Sequence, residues 1–168
     1  MCAVAWACEM NPRTHRIRRH VLGWALAVTA AGLFHVQFTF GVNVSPSLPQ
    51  SVFLIHKGER PHRGDYVAFR WAGGGPYEAG TTFVKILQGV PGDTVQRYGR
   101  SVFLNGQFLS VAKPLGQQGQ RLDPGPEGVI PDDHVYVHAP HPDSLDSRYA
   151  LTGWIERSRI IGRAYALF

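Results

Sequence analysis

The chain has 168 residues, a hydrophobic fraction of 44% and a formal net charge of +5, which allows one globular domain with a real core and one appendage. Most of the basic excess lies in the first 20 residues, since only 13 Lys/Arg stand against 11 Asp/Glu after residue 40. A nucleic-acid-binding protein is expected to carry its positive charge on the folded domain, so this composition argues against that class.

Cysteine placement also excludes some chemistry. Cys2 and Cys8 lie in the N-terminal tail, and residues 41–168 contain no cysteine. We therefore expect free thiols in the tail and neither a disulfide framework nor a thiolate metal site in the domain.

The first element predicted along the chain is a membrane anchor. Residues 21–40 contain no Asp, Glu, Lys or Arg, and 20 helical residues extend about 30 Å, the thickness of a bilayer's hydrocarbon core. The preceding arginines, within residues 1–20, predict a cytoplasmic tail, which puts residues 41–168 on the outer side. A cleaved secretory signal is the alternative. Apolar residues continue to Phe40, which favours a retained anchor.

After Phe40 the chain changes to short apolar segments separated by Gly, Pro and Asp, a pattern that predicts strands and turns. Asn105-Gly106, between apolar residues, indicates a two-residue β-hairpin. The Gly/Pro-rich residues 71–80 and 113–128 are expected to be loops. We predict a mainly β domain, closed into a barrel-like or multi-sheet core. The segments expected to form strands are SVFLI, DYVAF, TTFVKIL, TVQRY, SVFLNGQFL, HVYVHA, RYALTGWI and RIIGRAYALF.

A lysine stands in the middle of one of these strands. With strand alternation, Lys85 shares a face with Phe83 and Leu87. Burial disfavours the charged form and lowers the pKa of a lysine, and a neutral amine can accept a proton. The alternative is an edge-strand lysine whose amine reaches water.

The stretch after the membrane segment supports the chemical interpretation. Residues 43–49, NVSPSLP, hold Ser47 between two prolines, which restrict the backbone of a non-helical, non-strand bend. A serine hydroxyl is a weak nucleophile until a base takes its proton, and a desolvated lysine can be that base. Asn43-Val44-Ser45 also fits a glycosylation sequon, but Pro46 follows it directly.

Six segments in this order resemble bacterial type I signal peptidases, and most of all the conjugative-transfer branch, the TraF-type peptidases. The resemblance covers about residues 21–168. Two departures are Ser51, where many relatives have glycine, and HAPH at 138–141 in place of Gly-Asp-Asn-Arg. The segments that carry the resemblance are NVSPSLP, RGDYVAF, FVKILQGVPGDTV, SVFLNG, PDSLDSRY and IIGRAYALF.

The resemblance implies roles for individual residues. Ser47 would be the nucleophile and Lys85 the general base, in agreement with the reasoning from the residues. The Ser45 hydroxyl and the backbone N–H of Ser47 would form the oxyanion hole. The segment DSLDSR, residues 143–148, resembles the family motif that supports the lysine. By this match Ser144 would lie near the Lys85 amine, and Asp146 would pair with Arg148 or neighbouring charges to order the site.

Two other patterns are weaker evidence for a catalytic or metal site. Ser110-x-x-Lys113 matches a motif of penicillin-binding enzymes, but the accompanying motifs are missing and Pro114 follows at once. His134 and His138 are four residues apart on a predicted strand, about 13 Å, too far to share a metal without a bend. With His141, they are expected to be solvated. We predict no metal site and no cofactor.

The function expected from the sequence is therefore a membrane-anchored serine endopeptidase, a hydrolase that removes signal peptides or propeptides from exported proteins. The conjugative branch implies a pilin precursor as the peptide substrate. We expect a bacterial inner-membrane protein with one membrane pass, a cytoplasmic N-terminus and a periplasmic catalytic domain. The alternative is a non-catalytic, membrane-anchored β domain that binds pilin or secretion machinery.

Overall fold

The computed structural model describes residues 12–43 and 45–168. Cys2, Cys8 and the first 11 residues of the expected tail lie outside the described residues. The chain divides into two units, one ending at Gln37 and one beginning at Phe38, and each is considered by itself.

The first unit contains one helix, α1, from Pro12 to Gln37. Proline suits the first helical position, where its missing N–H would have no intrahelical acceptor. Residues 16–37 are long and apolar enough to cross a bilayer by length and composition, and their side chains are exposed. Within the helix, the Thr29 hydroxyl donates to the Ala25 carbonyl at 2.8 Å, which satisfies this polar group without water.

The helix ends three residues before the expected end of the apolar segment. Residues 38–40 belong to a strand, because their backbone pairs with the next strand from Phe38 opposite His56 onward. The expected boundary at Phe40 is therefore wrong by three residues. Hydropathy alone cannot separate the end of an apolar helix from the start of an apolar strand.

The second unit is mainly β, as predicted. It contains eleven strands and one short 3₁₀ helix within the described residues. They are β1 Phe38–Val42, β2 Val52–Lys57, β3 Tyr66–Arg70, β4 Thr82–Gly89, β5 Thr94–Tyr98, β6 Ser101–Leu104, β7 Gln107–Val111, β8 Gly128–Val129, β9 His134–His138, β10 Ile155–Glu156, the 3₁₀ helix Arg157–Arg159, and β11 Ile160–Ala166.

Two antiparallel sheets organise these strands. The larger has seven strands in the order β1-β2-β11-β3-β4-β9-β10, and the smaller has four in the order β7-β6-β5-β8. The predicted Asn105-Gly106 turn joins β6 to β7. Both residues have positive φ, 51° and 77°, as the tightest hairpin turns require.

Two apolar clusters use alternate residues of β4, the strand that carries Lys85. Phe83 and Leu87 pack in one cluster with Val67 and Trp71, whereas Val84 packs in the other, around Phe53 and Ile55. The predicted alternation of β4 is confirmed. A third cluster includes Val95 and Val102 of the smaller sheet and Tyr136 of β9.

One predicted strand is wrong. RYALTGWI, residues 148–155, forms turns, and only Ile155 belongs to a strand, the two-residue β10. The N–H groups of Thr152 and Gly153 donate to the Tyr149 carbonyl, and Gly153 has a φ of +59°. These local hydrogen bonds take the place of a ladder, so the apolar residues here mark buried positions of a loop.

Candidate active site

The bend that follows β1 is irregular, as expected. Its ends are joined by the N–H of Asn43, which donates to the Ser51 carbonyl at 2.8 Å. Leu48 is buried and packs with Phe53 and Ala164. Anchoring this one apolar side chain keeps the flanking residues of the bend against the larger sheet.

Two serine hydroxyls lie side by side in this bend. Ser47 is 3% exposed, and its Oγ is 2.9 Å from the Oγ of Ser45. Ser45 Oγ also donates to Asn43 Oδ1 at 3.0 Å. The expected nucleophile and the expected oxyanion donor are thus hydrogen-bonded to each other.

Lys85 lies in β4, opposite Val67 of β3. It is 4% exposed, and its Nζ lies 5.7 Å from the centroid of the Phe83 ring. Within residues 12–43 and 45–168, this amine forms no hydrogen bond or ion pair. Burial lowers the pKa of Lys85 to about 8, with Asp146 opposing the shift and Arg148 adding to it. About a tenth of the amine is therefore neutral at pH 7, and the neutral fraction grows as the pH rises through 8.

A cavity of about 690 Å³ brings these groups together. Ser45, Ser47, Lys85 and Ser144 all line it. Part of its wall is apolar, and includes Leu145. A pocket with an apolar wall and a few convergent polar groups is the usual form of a binding site. Here it provides a hydroxyl and a desolvated amine beside a space large enough for a peptide segment.

Asp146 and Arg148 are not in the cavity wall but form a buried ion pair behind it. Arg148 Nε donates to Asp146 Oδ1 at 2.8 Å, and Arg148 Nη2 donates to Asp146 Oδ2 at 2.9 Å. Arg148 Nη2 also donates to the carbonyls of His141 and Ser144, at 3.0 and 3.2 Å. Asp146 Oδ2 accepts the N–H of Ala139. The pair therefore holds together the loop that carries Ser144.

Ser144 is a buried hydroxyl without a partner. Its side-chain oxygen has no hydrogen bond within the described part of the chain, although the residue is only 2% exposed. An unsatisfied buried hydroxyl costs about 1–3 kcal/mol, a cost that a hydrogen bond with a neighbouring side chain would remove.

The expectation that His138 is solvated is wrong. It ends β9 opposite Ile86 and is 7% exposed. Burial lowers the pKa of His138 to about 4, with Asp146 opposing the shift and Arg148 and Lys85 adding to it. The histidine is therefore neutral at pH 7. Strand alternation gave no signal for this burial, because it groups His138 with His134, another polar side chain.

The Ser110-x-x-Lys113 pattern does not form a catalytic pair. Ser110 lies in β7, and the Lys113 amine pairs with the Asp143 carboxylate. The amine at the cavity rim is thus paired with a carboxylate rather than positioned beside the Ser110 hydroxyl.

The predicted distance between His134 and His138 also leaves His134 to other partners, and it pairs with Asp133 instead of a second histidine.

Sequence reasoning also missed Asn43. Its side chain accepts from the N–H of Ser45 at 3.2 Å, the i to i+2 contact of an Asx turn. An asparagine two residues before a serine, next to a proline, is a signal for such a turn. The sequence predicted no role for the Asn43 side chain beyond a glycosylation sequon.

The chain is similar to several known proteins. The chain is 32% identical to a probable conjugal transfer protein TraF of Sinorhizobium fredii, over 93% of each chain. It is 34% identical to a signal peptidase I of Leptolyngbya laminosa over 64% of its own length, and 27% identical to a signal peptidase I of Pseudomonas aeruginosa over 79%. It spans 53% and 56% of the length of these two relatives.

A crystal structure of a signal peptidase I from Enterococcus faecalis is also similar, with a TM-score of 0.40 and 23% identity. The match covers 66% of this chain and 98% of that one. The family model described as signal peptidase, peptidase S26, matches residues 14–168. The chain therefore belongs to the signal peptidase family.

Proposed function

We propose that the chain is a membrane-anchored serine endopeptidase in which Ser47 is the nucleophile and Lys85 the general base. The observation that carries this proposal is the cavity that both side chains line. In it a buried amine, whose pKa is lowered to about 8, shares a sheltered space with a serine hydroxyl. Family membership supports peptidase chemistry, and a Ser-Lys pair is one of its known forms.

The proposed reaction has two halves. The neutral Lys85 amine takes the Ser47 hydroxyl proton as Ser47 Oγ attacks the scissile carbonyl. The resulting ammonium then gives its proton to the leaving amine, which leaves an acyl ester on Ser47. A water molecule, deprotonated by Lys85, hydrolyses the ester and regenerates the hydroxyl and the amine.

The other predicted residues have supporting roles in this proposal. The backbone N–H of Ser47 and the hydroxyl of Ser45 stabilise the oxyanion, and one such donor is worth about 3–4 kcal/mol. The unpartnered Ser144 hydroxyl accepts from the Lys85 ammonium and so orients it. Asp146 and Arg148 fix the loop that places Ser144 in the cavity.

The proposed substrate is an exported precursor with an apolar N-terminal segment and small residues before the cut, as in Ala-x-Ala. The length and composition of α1 support a single-pass anchor in the bacterial inner membrane, with residues 41–168 in the periplasm. Similarity to a protein named for conjugal transfer supports a role in conjugation, with pilin precursor as the substrate.

A cleavage assay tests this proposal. The full chain in detergent is incubated with a synthetic precursor that carries an apolar segment ending in Ala-x-Ala. We expect wild type to cleave it and Ser47→Ala and Lys85→Ala each to lose at least 10³-fold in kcat. Ser158→Ala, on the exposed 3₁₀ helix, is the matched control and should cleave like wild type. Cleavage by both site variants at the wild-type rate would exclude the Ser47–Lys85 mechanism, and no cleavage by wild type would favour a non-catalytic binding domain.

A further inference from the structure

The Asn43 side chain is fully engaged within the bend. Its Oδ1 accepts from the N–H and the hydroxyl of Ser45, at 3.2 and 3.0 Å. Its Nδ2 donates to the carbonyls of Leu48 and Gln50, at 3.3 and 3.2 Å. An amide side chain has two acceptor sites and two donor hydrogens, and all four are used. Asn43 therefore has no hydrogen bond left for a substrate, although it borders the cavity.

These partners also determine which end of the Asn43 amide is the oxygen and which is the nitrogen. The atom facing Leu48 and Gln50 meets two carbonyl oxygens, which can only accept, so it must be the NH₂ group. The atom facing the backbone N–H of Ser45 meets a donor, so it must be the oxygen. Both ends give the same orientation independently.

The direction of the hydroxyl protons follows from this orientation. Asn43 Oδ1 can only accept, so the single hydroxyl hydrogen of Ser45 points toward Asn43. Ser45 Oγ must then be the acceptor in its 2.9 Å contact with Ser47 Oγ. The Ser47 proton is consequently directed to Ser45 in the free protein, while the Lys85 amine forms no hydrogen bond to any described residue.

We propose that Asn43 is a positioning residue for the peptidase reaction, which acts through Ser45. This inference rests on the proposed function. In the free enzyme Asn43 keeps the hydroxyl order Ser47 to Ser45 to Asn43, so that the nucleophile's proton is held away from Lys85. When a substrate carbonyl oxygen enters, Ser45 turns its O–H from Asn43 to that oxygen, and Ser47 turns its proton to the Lys85 amine. Asn43 Oδ1 keeps its bond to the backbone N–H of Ser45 and so holds the Ser45 donor in place during the reaction. Only hydrogen bonds are exchanged in this step.

Asn43 contributes a second effect, on stability, since its NH₂ group donates to the backbone on the far side of Ser47. Its acceptor acts on the rate, because displacing a group that takes part in the reaction, here the Ser45 hydroxyl, by about 1 Å can cost about 10²-fold. Loss of Asn43 should therefore lower kcat far more than it raises KM. A residue that only stabilised the fold would lower the melting temperature and leave the kcat of the folded fraction intact.

A double-mutant cycle on the full-length enzyme tests the inference, with kcat and KM measured on the synthetic precursor. We expect Asn43→Ala and Ser45→Ala each to lower kcat about 10²-fold, with KM within about threefold of wild type. The double variant should lose little more than Ser45→Ala alone, because residues that act through one another are not additive. Additive losses, about 10⁴-fold together, would overturn the inference.

Asn43→Asp separates the two effects. An ionised aspartate still accepts from Ser45 but puts an oxygen where Leu48 and Gln50 need a donor. Measured on the high-pH plateau, its kcat should lie within about tenfold of wild type, while its melting temperature falls as far as that of Asn43→Ala. Equal kcat in the Asp and Ala variants would contradict the role of the acceptor.

Gln50→Ala is the matched control within the same bend. It removes a side-chain amide whose oxygen accepts from the Tyr66 hydroxyl, at 3.0 Å, and leaves in place the Gln50 carbonyl to which Asn43 donates. Its kcat should match wild type. An active Ser47→Ala would refute the proposed function itself, whereas a wild-type kcat in Asn43→Ala, with Ser47→Ala inactive, would refute this inference alone.

Discussion

Replacing the buried lysine by methionine should stabilise the protein while it abolishes activity. Lys85 is 4% exposed, and its amine has no hydrogen-bond or ion-pair partner in the described chain. A buried charge without a close partner opposes folding, and replacing such a group by an apolar one of similar volume is often stabilising. Methionine fills nearly the same space without the charge.

The magnitude follows from the pKa of Lys85, which burial lowers from 10.5 to about 8. Each pKa unit is worth about 1.4 kcal/mol, so the protonated amine destabilises the fold by about 3 kcal/mol. The full cost is present below pH 8, where the amine is protonated in both states. It shrinks as the pH rises from 8 to 10.5 and vanishes above that range, where both states are neutral.

The assay is chemical unfolding of the full chain in detergent, followed by far-UV circular dichroism between pH 6.5 and pH 10. We expect Lys85→Met to raise the free energy of unfolding by about 2–3 kcal/mol at pH 7, with a smaller gain at pH 10. Lys113→Met removes the ion pair with Asp143 at a half-exposed position and is the control, expected to stay within about 1 kcal/mol of wild type. A Lys85→Met protein less stable than wild type at pH 7, or a gain equal at both ends of the range, would show that the Lys85 charge does not destabilise the fold.

Three further predictions concern pH and the fold. The kcat/KM of wild type should rise with pH through an apparent pKa near 8, because Lys85 must be neutral to act as base; a profile flat from pH 6 to 9 would contradict it. Wild type should lose about 3 kcal/mol of free energy of unfolding as the pH falls from 6.5 to 4. Burial lowers the pKa of His138 from 6.5 to about 4, so over this range the unfolded chain binds a proton on His138 that the folded protein does not. His138→Gln should lack this part of the loss in acid denaturation. Asp93→Ala should lower the free energy of unfolding by about 2–4 kcal/mol, measured by urea titration. The reason is that the Asp93 carboxylate accepts from Arg63 and Asn105, each at 2.7 Å. A change below about 0.5 kcal/mol would show that these hydrogen bonds do not stabilise the fold.

The local rules of strands and turns were enough to predict most of the second unit. The alternation of β4 predicted which residues face each cluster, and Asn105-Gly106 predicted the hairpin turn. The strand predicted over residues 148–155 does not form, because local hydrogen bonds to the Tyr149 carbonyl replace a strand ladder. The predicted end of the apolar helix was wrong because the apolar residues of α1 continue directly into an apolar strand.

The site required contacts that are distant in sequence. Lys85 and Ser47 could be singled out from their own neighbourhoods, since one interrupts an apolar strand and the other is flanked by prolines. The burial of His138 depends on its pairing with β4, which no short pattern of residues encodes. The role of Asn43 depends on four hydrogen bonds that close only when the bend folds, so its local sequence indicated a turn but not a proton order.

The central claim is that the Lys85 amine activates the Ser47 hydroxyl. Labelling with a peptidyl phosphonate that reacts with activated serines, followed by mass spectrometry of the digested protein, tests it most directly. At pH 8.5 we expect one modification, on Ser47, in wild type and at least 10³-fold slower labelling in Lys85→Met. Equal labelling of Lys85→Met, or modification of Ser45 or Ser144 instead of Ser47, would contradict it.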